Sequence, residues 1–210
     1  ASMVAGGLKY ERQKFNQTAA GMGSSLLLLA AVGLIIPALF HFTAADRGVT
    51  IEREMSLEIA IVLFVMYGLS LLFSLRTHRE LFAGAEHAEA DRAPWPVGLA
   101  LATLAGVTVL VALVSEVFVE SVQKAAEAFG MTPAFVGFIV VALVGGAAEM
   151  GAAFSAARKN RLDLSVGIAL GSASQIALFV APVLVLLSYF IGPTPMDLQF
   201  WPGAVVMMLI

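Results

Sequence analysis

An all-α, polytopic bundle of membrane-spanning helices is the fold class this sequence predicts, on three observations. The first is composition: of 210 residues, 60% are hydrophobic and only 13% charged, with a mean hydropathy of +0.91. So few charges cannot solvate the surface of a globular domain of this size. The second is segment length. The hydrocarbon core takes about 20 apolar residues per helix, and five stretches reach it: Gly23 to Phe42, Met55 to Leu75, Pro96 to Val119, Pro133 to Ala157 and Leu164 to Ile191. The third is the placement of basic residues. Nine of the twelve Lys and Arg fall in alternate connections, at Lys9, Arg12, Lys14, Arg76, Arg79, Arg92, Arg158, Lys159 and Arg161, leaving Arg47, Arg53 and Lys124 for the other side. Short loops rich in Lys and Arg stay cytoplasmic, so the segment ending near Arg158 ends at the cytoplasmic face.

Taken in order, Ala1 to Leu8 reads as the last turns of an apolar helix and Phe200 to Ile210 as the first turns of another, as expected of part of a larger protein. Gly23 to Phe42 and Met55 to Leu75 are rich in Leu, Ile, Val and Phe and read as scaffold. The Leu81 to Asp91 run and the Pro94-Trp95-Pro96 cluster form the longest polar connection, which predicts a first part over 1–93 and a second over 94–210. The last two spans carry Gly137, Gly145, Gly146, Gly151, Gly167 and Gly171 among Ala and Ser, small residues that permit close helix contact and irregular backbone. Gly167 and Gly171 make a G-x-x-x-G, which tight packing explains as well as function does.

Glu149 is the lone charge between Pro133 and Ala157. An acid or base at a helix centre costs roughly 2.5 to 3.5 kcal/mol on insertion scales and turns toward a bundle interior or a wet cavity. Gly145 and Gly146 lie one turn earlier, where a helix without side chains can open and present carbonyl oxygens, the hard ligands that calcium prefers. Ser172, Ser174 and Gln175 add neutral oxygens on the following span, though hydroxyls and amides also serve as interhelical glue. Glu116 and Glu120 sit one turn apart on one face; Glu116, the deeper, is either a vestibule carboxylate or an interfacial acid. One carboxylate, several neutral oxygens and freed backbone make up a partly dehydrated cation site, with Glu149 as the expected metal ligand.

Other chemistries lack their residues. Cys is absent, so no thiolate ligand or disulfide exists. His41, His78 and His87 show no zinc-ligand spacing, and Glu86, His87, Glu89 and Asp91 read as a solvated charge run. No Walker loop, nucleophile elbow or dinucleotide fingerprint is present, so nothing points to a nucleotide, a nucleic acid or an enzyme. No short signal peptide is evident.

The order Ser115-Glu116-x-x-Val119-Glu120-Ser121, then Val144-Gly145-Gly146-Ala147-Ala148-Glu149, then Asp163-Leu164 through Gly171-Ser172-x-Ser174-Gln175 to Pro182 resembles the second repeat of the calcium/proton antiporters of the calcium/cation exchanger superfamily. Gly6-Gly7-Leu8-Lys9-Tyr10 through Phe15-Asn16 is similar to the stretch after that family's first repeat. The resemblance implies an exchanger of ten or eleven helices built from two inverted repeats, with one Glu from each meeting at mid-membrane. Glu149 matches the second of these; Gln175, Ser172 and Glu116 match polar positions around the same site. The sequence departs from the family at Gly146, where the pattern has Asn, and at Met150, where it often has His, so selectivity does not carry over with the resemblance.

The function expected on these grounds is exchange of Ca2+ for H+ by an integral multi-pass protein of a prokaryotic inner membrane, with Ca2+ as transported ion and no cofactor. Its partners are then Ca2+, H+ and lipid, and a homo-oligomer is compatible with such a bundle. A sodium/calcium exchanger of the same superfamily and a passive cation channel with acidic filter groups are the competing readings.

Overall fold

The computed structural model describes residues 2–44, 49–78, 95–191 and 194–209. Arg47, Arg79, the Leu81 to Asp91 run with Glu86, His87, Glu89 and Asp91, and Arg92 and Pro94 lie outside the described residues. Every regular element among the described residues is helical. In chain order these are α1 (Ser2–Gly7), α2 (Gln17–Ala44), α3 (Val49–Leu72, prolonged by a widened turn over Phe73–Thr77) and α4 (Val97–Ala128). They continue with α5 (Pro133–Gly145), α6 (Ala147–Arg158), α7 (Leu162–Ile191) and α8 (Pro202–Leu209).

Four of these helices are long and apolar enough to cross a membrane, and α5 with α6 makes a fifth candidate span bent by 48°. The chain is thus built as an integral membrane protein. Its helices outrun the apolar stretches: α3 begins at Val49 and takes in Glu52 and Arg53, while α4 runs on through Glu120, Lys124 and Glu127. Hydropathy stops at the first charges, but backbone hydrogen bonding does not.

Two compact units make up the chain, Ala1–Ala85 with Ala152–Ile210, and Glu86–Gly151. In the first, Ala30, Leu34, Ala60, Leu63, Leu178, Val185 and Leu198 form one buried cluster, with smaller ones at Ile35, Ala38 and Val205 and at Ala157, Leu162 and Val166. The small residues set the spacing between α2 and α3: a Cβ on Gly33 would meet Leu63 Cδ2 at 3.0 Å. Leu178, fully buried, sits in a widened turn of α7 over Ile176–Val180, where Ala181 N–H donates to the Ile176 carbonyl, five residues back. Pro182 explains the turn, because it has no N–H for the carbonyl one turn before it and its ring crowds that carbonyl. Phe179 from the same turn stacks with Phe64 (centroids 5.8 Å) and tilts against Tyr67 (5.3 Å).

A polar knot fastens the 194–201 segment to this core. Glu52, 5% exposed, accepts from Gln199 Nε2 on one oxygen and lies 2.9 Å from His41 Nδ1 on the other. Ser56 Oγ donates to the Glu52 carbonyl and accepts from Leu198 N–H at 3.1 Å. Ser188 Oγ likewise accepts from Met196 N–H at 2.8 Å.

Helix ends are closed by the chain itself. Asn16 Oδ1 accepts from Ala19 N–H at the start of α2, and Thr132 Oγ1 from Phe135 N–H at the start of α5, both N-caps, the latter followed by Pro133 at the first helical position. At the end of α4, Gly130 has φ +65, Met131 N–H reaches back to Ala126 and Gly130 N–H to Glu127. Asn160, φ +59, does the same for α6, with Arg161 N–H on Ala156 and Asn160 N–H on Ala157. Both are Schellman closures. The Arg158 carbonyl also accepts from Lys9 Nζ (3.2 Å) and Tyr10 Oη (3.3 Å), and the Ala157 carbonyl from Gln13 Nε2 (2.9 Å). A cation here also complements the negative end of α6.

A Cβ on Gly130 would meet no other atom within 4 Å, so Gly130→Ala tests backbone strain alone. It should cost about 1–2 kcal/mol and lower the thermal unfolding midpoint of the purified protein, whereas Asn160→Gly should leave that midpoint unchanged or raise it.

Candidate functional site

The bend between α5 and α6 falls at Gly146, whose backbone has φ −87 and ψ 0. Its N–H donates to the Ala142 carbonyl at 3.0 Å and its carbonyl accepts from Met150 N–H at 2.9 Å, so hydrogen bonding runs on both sides of the bend. A Cβ at this position would stand 3.2 Å from the Ala142 oxygen. That is tight, so the bare α-carbon suits this backbone and a side chain would force Ala142 to give way. Gly145 has open space around it.

Glu149 lies in the first turn of α6 and is exposed. The carbonyl end of α5 and the amide end of α6 meet at Gly146, three residues before Glu149 in the chain. Carbonyl ends of broken helices favour cations and amide ends favour anions. Gly145, Gly146 and Glu149 are thus gathered on one short piece of backbone.

Glu116 sits elsewhere in the same unit, exposed on α4. One turn on, Glu120 pairs with Lys124 at 2.6 Å, both largely exposed, a pairing worth little in stability. The groove of about 490 Å³ between α4 and α5 is lined by Gln123, Glu127 and Gly137 among others, and Glu116 is not on it.

The two neutral candidates lie on α7, in the other unit. Ser172 is half-buried and Gln175 exposed. Gln175 lines a cavity of about 450 Å³ between α2, α3 and the first half of α7; Ser174 lines it too, and Ser172 does not. The cavity also takes in Asn16, Ser70, Ser74 and Asp163. Sequence reasoning missed Ser70 and Ser74, which look like ordinary polar residues on an apolar helix. Each is bonded to its own helix, to the Tyr67 and Leu71 carbonyls respectively. Glu52 was missed as well; its signal was an acid, like Glu149, followed at helical spacing by Ser56.

Among the described residues no group of three or more His, Cys, Asp or Glu side chains is placed to hold a metal ion.

The family described as sodium/calcium exchanger protein matches residues 99–210. The chain is 40% identical over 203 residues to the Ca(2+)/H(+) antiporter ChaA of Bacillus subtilis (strain 168), covering 95% of this chain and 57% of that protein. It is 38% identical over 219 residues to the Ca(2+)/H(+) antiporter of Aphanothece halophytica, covering 98% of this chain and 58% of that one. The solved structure of native YfkE superimposes with a TM-score of 0.75 at 35% identity, over 99% of this chain and 58% of that chain. The chain therefore spans a little under three-fifths of the length of the relatives it matches.

Since the Gln175 side chain is exposed, Gln175→Ala should change stability by no more than about 0.5 kcal/mol. An unfolding midpoint within a degree or two of the parent would show that any functional loss in this variant arises at the site.

Proposed function

The chain belongs to the sodium/calcium exchanger protein family, and from that premise we propose that it works as a secondary active transporter exchanging Ca2+ for H+ at an intramembrane carboxylate centred on Glu149. The observation that carries the reading is the bend at Gly146, with Glu149 in the first turn beyond it. At 1.5 Å per residue, Glu149 lies roughly 14 Å along the helix from Arg158, near the middle of a hydrocarbon core about 30 Å thick. The Ca2+/H+ antiporter names of the two relatives support the choice of ions.

In this reading residues 94–210 are the second repeat and 1–93 the end of the first half. Glu149 is the metal and proton ligand, and the Gly145 and Gly146 carbonyls contribute backbone oxygen. Ser172 and Gln175 supply neutral oxygens, and Glu116 attracts cations toward the site. A second carboxylate comes from the other repeat, as the family resemblance implies.

Charge balance then produces exchange. Two carboxylates are neutralised by one Ca2+ or by two protons, but not by both at once. Protons on one side therefore expel the metal, and loss of those protons on the other side restores the site for it. Glycine-rich, bent helices give the backbone freedom that alternating access needs. No bond is made or broken, so the chain is a transporter rather than an enzyme, and this mechanism needs no resident cofactor. Its setting is the inner membrane of a prokaryote.

The test is Ca2+ uptake into everted vesicles containing the protein under an imposed pH gradient. Uptake should collapse when the gradient is dissipated, reverse when it is reversed, and vanish in Glu149→Gln. Near-parental exchange in that variant would sink the assignment of Glu149. Uptake driven by sodium rather than protons would instead favour a sodium/calcium exchanger, and flux without any counter-ion a passive channel.

A further inference from the structure

The buried residues of α6 are Ala153, Ala156 and Ala157, one face at helical spacing. Alanines have no side chain long enough to interlock with a neighbouring helix. Such a face holds the helix close but does little against its sliding or turning about its own axis. Directional contacts oppose those motions, and three come from far away in the sequence. Gln13 Nε2 donates to the Ala157 carbonyl at 2.9 Å, and Lys9 Nζ and Tyr10 Oη donate to the Arg158 carbonyl at 3.2 and 3.3 Å. Closing the helix does not require them. Arg161 N–H already reaches the Ala156 carbonyl and Asn160 N–H the Ala157 carbonyl, which completes the Schellman motif.

The donors are themselves held in place. The Gly6 carbonyl accepts from the N–H groups of Lys9 and Tyr10, both at 3.0 Å, and so turns the chain at the end of α1. The Lys9 ammonium lies 5.3 Å from the centre of the Tyr10 ring, within cation–π range, and both side chains reach one carbonyl. Gln13 is seated by a missing side chain. Gly6 is buried, and a Cβ on it would overlap the Gln13 amide, 2.8 Å from Cδ and 2.9 Å from Nε2. The next residue, Gly7, is exposed, and a Cβ there would meet nothing within 4 Å. A bare α-carbon is therefore required at position 6 and not at 7.

We propose that Gly6, Lys9, Tyr10 and Gln13 form a clamp that sets the depth and rotation of α6, and that through this helix they are positioning residues for Glu149. The second half of the proposal rests on the exchanger reading above. Glu149 lies eight residues before Ala157 within one helix, about 12 Å along its axis, and a hydrogen-bonded helix that short moves as a rod. Ca2+ takes its oxygen ligands at about 2.3–2.6 Å, so a carboxylate displaced by roughly an ångström no longer closes on it. A loosened clamp leaves Glu149 in place in only a fraction of the molecules. Apparent affinity falls by that fraction, while saturating Ca2+ draws α6 back to its position.

The test is Ca2+ uptake into everted vesicles, read as half-maximal concentration and maximal rate. Gly6→Ala, which displaces the Gln13 amide, and Gln13→Leu, which removes it, should each raise the half-maximal concentration about two- to tenfold, the effect of one hydrogen bond, with the maximal rate kept. The double variant should be no worse than Gln13→Leu alone, because both changes break the same contact. Lys9→Met combined with Tyr10→Phe should act in the same direction, whereas Lys9→Arg, which keeps a donor, and Gly7→Ala should match the parent. A merely structural clamp would reduce the folded protein, and with it the maximal rate, at an unchanged half-maximal concentration; that result overturns the proposal.

A second arm reads the position of α6 without transport. Cys is absent, so nitroxides on Met150→Cys, beside Glu149, and on Ser24→Cys of α2, both exposed positions, report a single distance in the purified protein. Gly6→Ala and Gln13→Leu should shift or widen that distance distribution, and Gly7→Ala should not. An unchanged distribution in all three overturns the clamp. Parent vesicles with no exchange at all would sink the exchanger reading instead, and the nitroxide distances would still decide whether the clamp holds α6.

Discussion

Inside hydrocarbon no water is at hand to satisfy a backbone amide or carbonyl, so every such group must find its partner within the protein. The irregular places in this chain are where that demand is hardest to meet. Pro182 cannot bond back along α7, and the helix answers with a widened turn in which Ala181 N–H reaches Ile176. That turn carries Leu178 and Phe179, so a defect in hydrogen bonding becomes part of the buried core and of the aromatic contacts with Phe64 and Tyr67. At Gly146 the spans separate into two helical pieces with hydrogen bonds running on either side. The glycine is what allows it, since even one methyl group there would press on Ala142.

The same demand explains the far end of α6. Its closing carbonyls are covered by Arg161 and Asn160 amides, and those of Ala157 and Arg158 also by side chains of Lys9, Tyr10 and Gln13. A segment about 145 residues distant in sequence thus holds the end of the helix that begins beside Glu149. Such long-range capping ties the 9–13 segment to the α6 terminus.

Polar groups are used sparingly and in two different ways. Around Glu52 they are saturated: His41, Gln199, Ser56 and Leu198 leave the knot with its oxygens and amides paired, which fixes the 194–201 segment. In the first half of α7, Ser165 and Ser174 are buried without a hydrogen-bond partner among the described residues, and Gly167 and Gly171 face open space. Saturated polarity of the kind around Glu52 fastens structure.

Much of the architecture was legible in the residues alone, because a helix in lipid must be apolar over its whole width. Hydropathy found each span, and the lone acid at Glu149 after paired glycines marked the irregular one, since neither feature serves simple packing. What the sequence could not supply were the helix limits beyond the charges, the fastening role of Glu52, and the sharing of one cavity by Asp163, Ser174 and Gln175 with Ser70 and Ser74. These depend on which faces of α2, α3 and α7 turn toward one another, and side-chain periodicity in a helix apolar all round carries no record of that choice. Only packing in three dimensions, set by Ala30, Gly33 and Ala60 against Leu63 and Leu178, decides it.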